Sequence, residues 1–173
     1  MGDTKIIIPF GTLKEGRHNF NFEINDLFLS QFENPEISRC NLKIIINLFK
    51  NLRVTEIDIR LEGFVDVTCD LCLENFDLPV SYNGRLFVKY GEGESDDDEV
   101  LFVDENQTDI NLNQYIFESI HLSIPYKKVH PENKKGESGC NRKMIEKLNM
   151  HRVTENKEKY DPRWDNLKKI NIN

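Results

Sequence analysis

A chain of 173 residues with 38% apolar and 31% charged side chains has the length of one domain, or of one domain with an appended tail, and is too apolar to be wholly disordered. Collagen-like and mucin-like chains are excluded by composition, and no apolar run approaches the roughly 18 residues of a membrane span, so no membrane partner is expected. Charge is uneven: residues 1–126 hold 10 Lys or Arg against 23 Asp or Glu, whereas residues 127–173 hold 13 against 7. An acidic body repels phosphate, but a basic tail can pair with it.

Before the first strand, Met1 to Lys5 offer no basic region leading into an apolar stretch, and Ile6 stands where a myristoylation signal needs Ser or Thr. A cytoplasmic protein is the expectation. From residue 20 the dominant period is two, as half-buried strands require. Phe20, Phe22 and Ile24 open the pattern, and Leu42, Ile44, Ile46 and Leu48 share one face of the next run. After the turn-like Lys50-Asn51, Ile57, Ile59, Leu61, Val65 and Val67 alternate with polar residues. A further run puts Phe76, Leu78, Val80, Tyr82, Leu86, Val88 and Tyr90 on one face, with Gly84 as a bulge or bend. Runs this long need curvature to fit a small domain. The expected fold class is therefore α+β: a strongly bent, partly barrel-like antiparallel β-meander covered by an amphipathic helix, with a short helical C-terminal segment.

Residues 91–99 contain six acids, two glycines and no apolar side chain, and read as a solvated flexible loop; Val100 to Val103 then suggest a short strand. Asp109 as cap, with Leu112, Ile116, Ile120 and Ile124 recurring every four residues up to Pro125, predicts a helix over 110–124. A short helix starting near Asn141 should turn Ile145 and Leu148 inward. Another is signalled by Asp161-Pro162, with Trp164, Leu167 and Ile170 behind it. The expected division is a sheet with its docked helix over 1–126 and a basic segment over 127–173.

The chemistry-bearing residues are cysteines. A chain of this size buries about 68–70% of its unfolded surface and needs no disulfide staples. Cys69-Asp70-Leu71-Cys72 falls between two strand patterns, at a hairpin apex, and two-residue spacing lets both thiolates reach one zinc ion. His130 and Cys140, after the Pro125 stop, can complete a tetrahedral set of Cys69, Cys72, His130 and Cys140. The alternative is an inert or redox-active thiol pair, although flanking strands do not supply the helix N-terminus of thioredoxin-like sites. Cys40 sits in a strand pattern as a core residue. His18, His121 and His151 have no triad spacing, and no glycine-rich phosphate loop is present, so no enzyme and no small-molecule substrate are expected. Lys127, Lys128, Lys134, Lys135, Arg142, Lys143, Arg152, Lys168 and Lys169 form a basic cluster near aromatic residues, a pattern able to grip RNA.

Three blocks resemble the YceD family, named for large-subunit ribosomal RNA accumulation. The first is Val65-Asp66-Val67-Thr68-Cys69-Asp70-Leu71-Cys72-Leu73-Glu74-Asn75-Phe76-Asp77-Leu78-Pro79-Val80; the second runs from Asp109-Ile110-Asn111-Leu112 to Ile124-Pro125 and His130; the third is Asp161-Pro162-Arg163-Trp164-Asp165-Asn166-Leu167-Lys168-Lys169. Many members carry a richer cysteine cluster after the proline helix, where this chain has His130 and Cys140. The resemblance implies a non-enzymatic cytoplasmic role in ribosome biogenesis, with ribosomal RNA, a pre-ribosomal particle or a basic ribosomal protein as partner. Two rivals stand beside it: an acidic protein-interaction module without RNA contact, and a thiol-redox protein using Cys69 and Cys72.

Overall fold

The computed structural model describes residues 3–33, 36–51, 54–91, 99–104, 107–132, 136 and 138–152. The chain opens with β1 (Ile7–Ile8) and a single 3-10 turn over Phe10–Thr12, followed by β2 (Gly16–Asn25), a one-turn α1 (Asp26–Leu29) and β3 (Arg39–Lys50). The two longest strands, β4 (Val54–Thr68) and β5 (Asn75–Tyr90), come next. β6 (Val100–Val103), β7 (Ile110–Asn111), α2 (Asn113–Leu122) and α3 (Arg142–His151) complete the order. The mixed α+β class follows directly from the two periodicities.

Strands β2 to β5 pair antiparallel with their neighbours in chain order, in registers that set Phe20 against Ile46, Ile46 against Ile59 and Ile59 against Gly84. Alternation then puts one side of every strand into a single core. Leu42, Ile44, Ile46 and Leu48 of β3 lie there with Ile57, Ile59 and Leu61 of β4, all buried. Leu112, Ile116 and Ile120 join the same core from the α2 region. At about 1.5–3 kcal/mol for each large aliphatic side chain, this apolar surface is the main source of the sheet's stability.

Four expectations need correction. First, the sheet is open: its order is β2-β3-β4-β5-β6, with β2 and β6 at opposite edges, so the partly barrel-like closure is not seen. Second, the meander is not antiparallel throughout. β6 runs parallel to β5, with Val100 beside Phe87 and Val103 beside Tyr90.

Third, the helix spans Asn113–Leu122, shorter than 110–124 at both ends. Ile110 and Asn111 pair with β1 as β7, and Leu112, not Asp109, stands at the N-cap, while the Asn111 side chain accepts from the backbone N–H of Asn113 at 2.9 Å. Fourth, the β4–β5 register passes Gly84 without interruption, so no bulge lies there. A side chain at Gly84 would instead collide with the Tyr82 and Tyr115 hydroxyls, which bond to each other at 3.0 Å. Backbone freedom matters more at Gly63. Its φ of +151° is one that other residues rarely adopt, and a Cβ there would strike the Asn41 carbonyl on β3.

Candidate metal centre

The connection between β4 and β5 is a tight turn. Cys69 N donates to Glu74 O and Leu73 N to Cys69 O, both at 3.0 Å, and Leu73 takes φ 61° to close it. Such a turn presents the sulfurs of Cys69 and Cys72 on one side.

Asp70 fastens the later chain to this apex. Its backbone N–H donates to Lys128 O at 2.7 Å, and its carboxylate accepts from Lys128 N at 2.6 Å. A bridge between Glu132 and Ser138 then folds the following loop back on itself, so that Cys140 returns to His130. Gly139 sits against that ring; an added Cβ would lie 3.1 Å from the His130 Cβ. Asn141 ties the next element to the same turn, donating to Glu74 at 2.6 Å while its carbonyl oxygen caps α3 through Lys143 N at 3.0 Å. α3 thus starts with Asn141 as its cap and turns Ile145 toward the cysteines, as its spacing predicts, but Leu148 is exposed and Met144 joins Ile145 in its place.

These contacts bring Cys69, Cys72, His130 and Cys140 together, with all ligand atoms within 4.8 Å of one another. The Sγ atoms of Cys69 and Cys140 are 3.7 Å apart, and His130 Nδ1 lies 3.4 Å from Cys72 Sγ and 3.7 Å from Cys140 Sγ. Metal bonds of about 2.3 Å to sulfur and about 2.0 Å to nitrogen place tetrahedral vertices roughly 3.5–3.8 Å apart, so these separations are those of a closed Cys3His set. All three thiols are buried, beneath Leu71, Phe76, Val129, Met144 and Ile145, and the Phe76 ring stands 4.5 Å from the His130 ring.

The electrostatics fit a bound cation. Burial pushes the Cys69 thiol up, but N–H donors from Cys72, Leu71 and His130 outweigh it and bring the thiol down to about 6. For Cys140 the Ser138 hydroxyl favours the thiolate, yet burial and the neighbouring Cys69 and Cys72 sulfurs prevail and raise it. Three buried sulfurs cannot all ionise side by side without a positive charge between them. Four protein donors of this kind are the number that a closed tetrahedral metal site uses.

Cys40 stands apart from this set. It is buried in the main core, where burial, then the Asp26 carboxylate, pushes its thiol up to about 12.

Residues 57–171 match the family described as large ribosomal RNA subunit accumulation protein YceD. The chain belongs to the YceD family. No curated protein and no solved structure matches it. The YceD match spans β4 to beyond α3 and so contains all four ligand positions, whereas β1 to β3 precede it.

Of the basic residues singled out in the sequence, Lys127, Arg142, Lys143 and Arg152 are exposed around the cysteine cluster, and Lys128 is half-buried, its backbone held by Asp70. Lys134, Lys135, Lys168 and Lys169 lie outside the described residues, as do the Trp164 helix signal and all of the acidic stretch except Gly91 and Glu99. Sequence reading passed over Lys147, exposed one turn after Lys143 on α3, and Asp70, whose place inside the C-x-x-C spacing was the available sign. Among the described residues no helix is long and apolar enough to cross a membrane.

Proposed function

We propose that this chain is a non-enzymatic ribosome-biogenesis factor in which zinc clips a basic lobe to the sheet and that lobe faces ribosomal RNA in a cytoplasmic pre-ribosomal particle. The observation that carries it is the convergence of Cys69, Cys72, His130 and Cys140 from two stretches some sixty residues apart onto separations suited to one tetrahedral ion. Zinc there would supply folding energy and position, and no chemistry on a substrate. It would hold α3 by its first turn, leaving Arg142, Lys143, Lys147 and Arg152 exposed for phosphate pairing. The family's description supports large-subunit ribosomal RNA as the setting.

The test is co-sedimentation with pre-ribosomal particles on sucrose gradients, using Arg142→Glu/Lys143→Glu. Both side chains are exposed, so the variant should keep its metal and its fold while losing the particle. Retained co-sedimentation would remove the RNA-facing assignment and leave the clip standing. A thiol-redox role is less favoured, since the fourth donor is a histidine and all three thiols are buried beneath apolar side chains.

A further inference from the structure

A sheet that stays open leaves two edges. β6 offers only the four residues Val100–Val103, whereas β2 runs for ten, Gly16–Asn25. In an antiparallel pair every second residue turns both its backbone N–H and its C=O toward the same neighbour. Glu23 turns them away from β3, because its N–H donates to the Asp3 carboxylate at 2.9 Å and its C=O accepts from Asp3 N at 2.6 Å. Arg17, Asn19 and Asn21 share that phase, and among the described residues nothing bonds to their outward backbone groups.

Open edges are ordinarily guarded by lysine, proline or a bulge. Between Arg17 and Glu23 this one has none of them: its register with β3 is unbroken, and the outward residues in the middle are two asparagines. Both ends are closed. Asp3 occupies the edge at Glu23, and at Gly16 a φ of +124° ends the strand. On the core side the same strand is under-covered. Phe20 and Phe22 pack on the core but stay half-buried, because β2 is the last strand of its sheet.

We infer that β2 pairs with β2 of a second copy of this chain, antiparallel about a two-fold axis through Asn19. Three free residues with a stop at each end admit one register that pairs them all: Arg17 with Asn21 of the second copy, Asn19 with its own counterpart, and Asn21 with Arg17. Each pair exchanges two backbone bonds, and the two sheets become one. Charge fits the same register, since Arg17 lies diagonal to Glu23 of the second copy and away from its Arg17. On the core side Phe20 falls opposite His18 of the second copy, which extends the cover over the Phe20 ring. The edge is its own complement, and this favours a second copy over an unrelated strand. The inference rests on neither the metal nor the RNA-facing lobe.

Sedimentation equilibrium of the full chain should show a reversible monomer–dimer equilibrium. The two-fold axis makes a specific demand, because residue 19 faces its own counterpart. Asn19→Lys and Asn19→Asp, at a side chain too exposed to matter to the fold, should each weaken association severalfold. An equal mixture of those two variants should recover it through mixed dimers, in which opposite charges meet. Asn21→Asp, facing Arg17 of the second copy, should tighten association, and Asn21→Lys should weaken it. Arg142→Glu/Lys143→Glu should leave it unchanged. A chain that stays monomeric or pairs only with a strand of another protein, a dimer indifferent to both Asn19 variants, or a mixture that associates no better than either variant alone would overturn the assignment.

Discussion

The molecule holds itself together in two ways. Around β3 and β4, long aliphatic side chains from successive strands and from α2 bury one another, and stability scales with apolar area. Around the turn after β4, the second cluster has just three buried members, all cysteines, with five partly buried neighbours. That is too little apolar surface to order a loop and a ten-residue helix that has no buried residue of its own. The proposed zinc clip would supply the difference by coordination, and on that reading the two regions should respond to different insults.

The largest effect expected is loss of the metal. Chelation or Cys69→Ser should remove a contribution on the order of 10 kcal/mol to the clipped region. Hydrogen exchange should then accelerate across 127–132 and α3 while β3 and β4 stay protected; simultaneous deprotection of the sheet would erase the distinction between the regions. Acid should act in the same way. The folded Cys69 thiol lies at about 6, below the ordinary thiol value, so its stabilisation is complete above that ordinary value and is lost as pH falls through about 6. Thiol reactivity of the metal-free protein followed against pH checks this, and a Cys69 that ionises only near the ordinary thiol value would contradict it.

A core lesion should do the reverse. Ile46→Ala, at a fully buried side chain on β3, should cost about 2–5 kcal/mol in denaturant unfolding, with zinc stoichiometry of the folded protein unchanged. Gly63→Ala belongs to the same region and should cost about 1–3 kcal/mol, through its positive φ and the Asn41 carbonyl it would meet. The smallest effect is expected at Asp70. Asp70→Ala removes a carboxylate that touches no metal but holds Lys128 N, and should lower zinc affinity by about 10–100-fold while leaving the unfolding of the sheet in place.

Much of this division was legible in the residues. Period-two alternation located β2 to β5 and named their buried faces, since strand faces are local matters, and the C-x-x-C spacing left His130 and Cys140 as the candidates to complete the set although they lie far along the chain. What escaped depends on partners distant in the chain. Ile110 and Asn111 continue a helical pattern but are claimed by Ile7 and Ile8, more than a hundred residues earlier. Gly84 read as a bulge because its reason, the Tyr115 hydroxyl, lies on another element. The direction in which β6 pairs with β5 is something no periodicity encodes. The role of Asp70 depends on Lys128, fifty-eight residues later, whose backbone N–H it accepts.

Native mass spectrometry of the full chain, with and without chelator, probes the clip most directly. One zinc per chain is predicted, removed by chelator and absent from Cys140→Ser. A chain that carries no metal, or one in which Cys69 and Cys140 are recovered as a disulfide, would contradict the account.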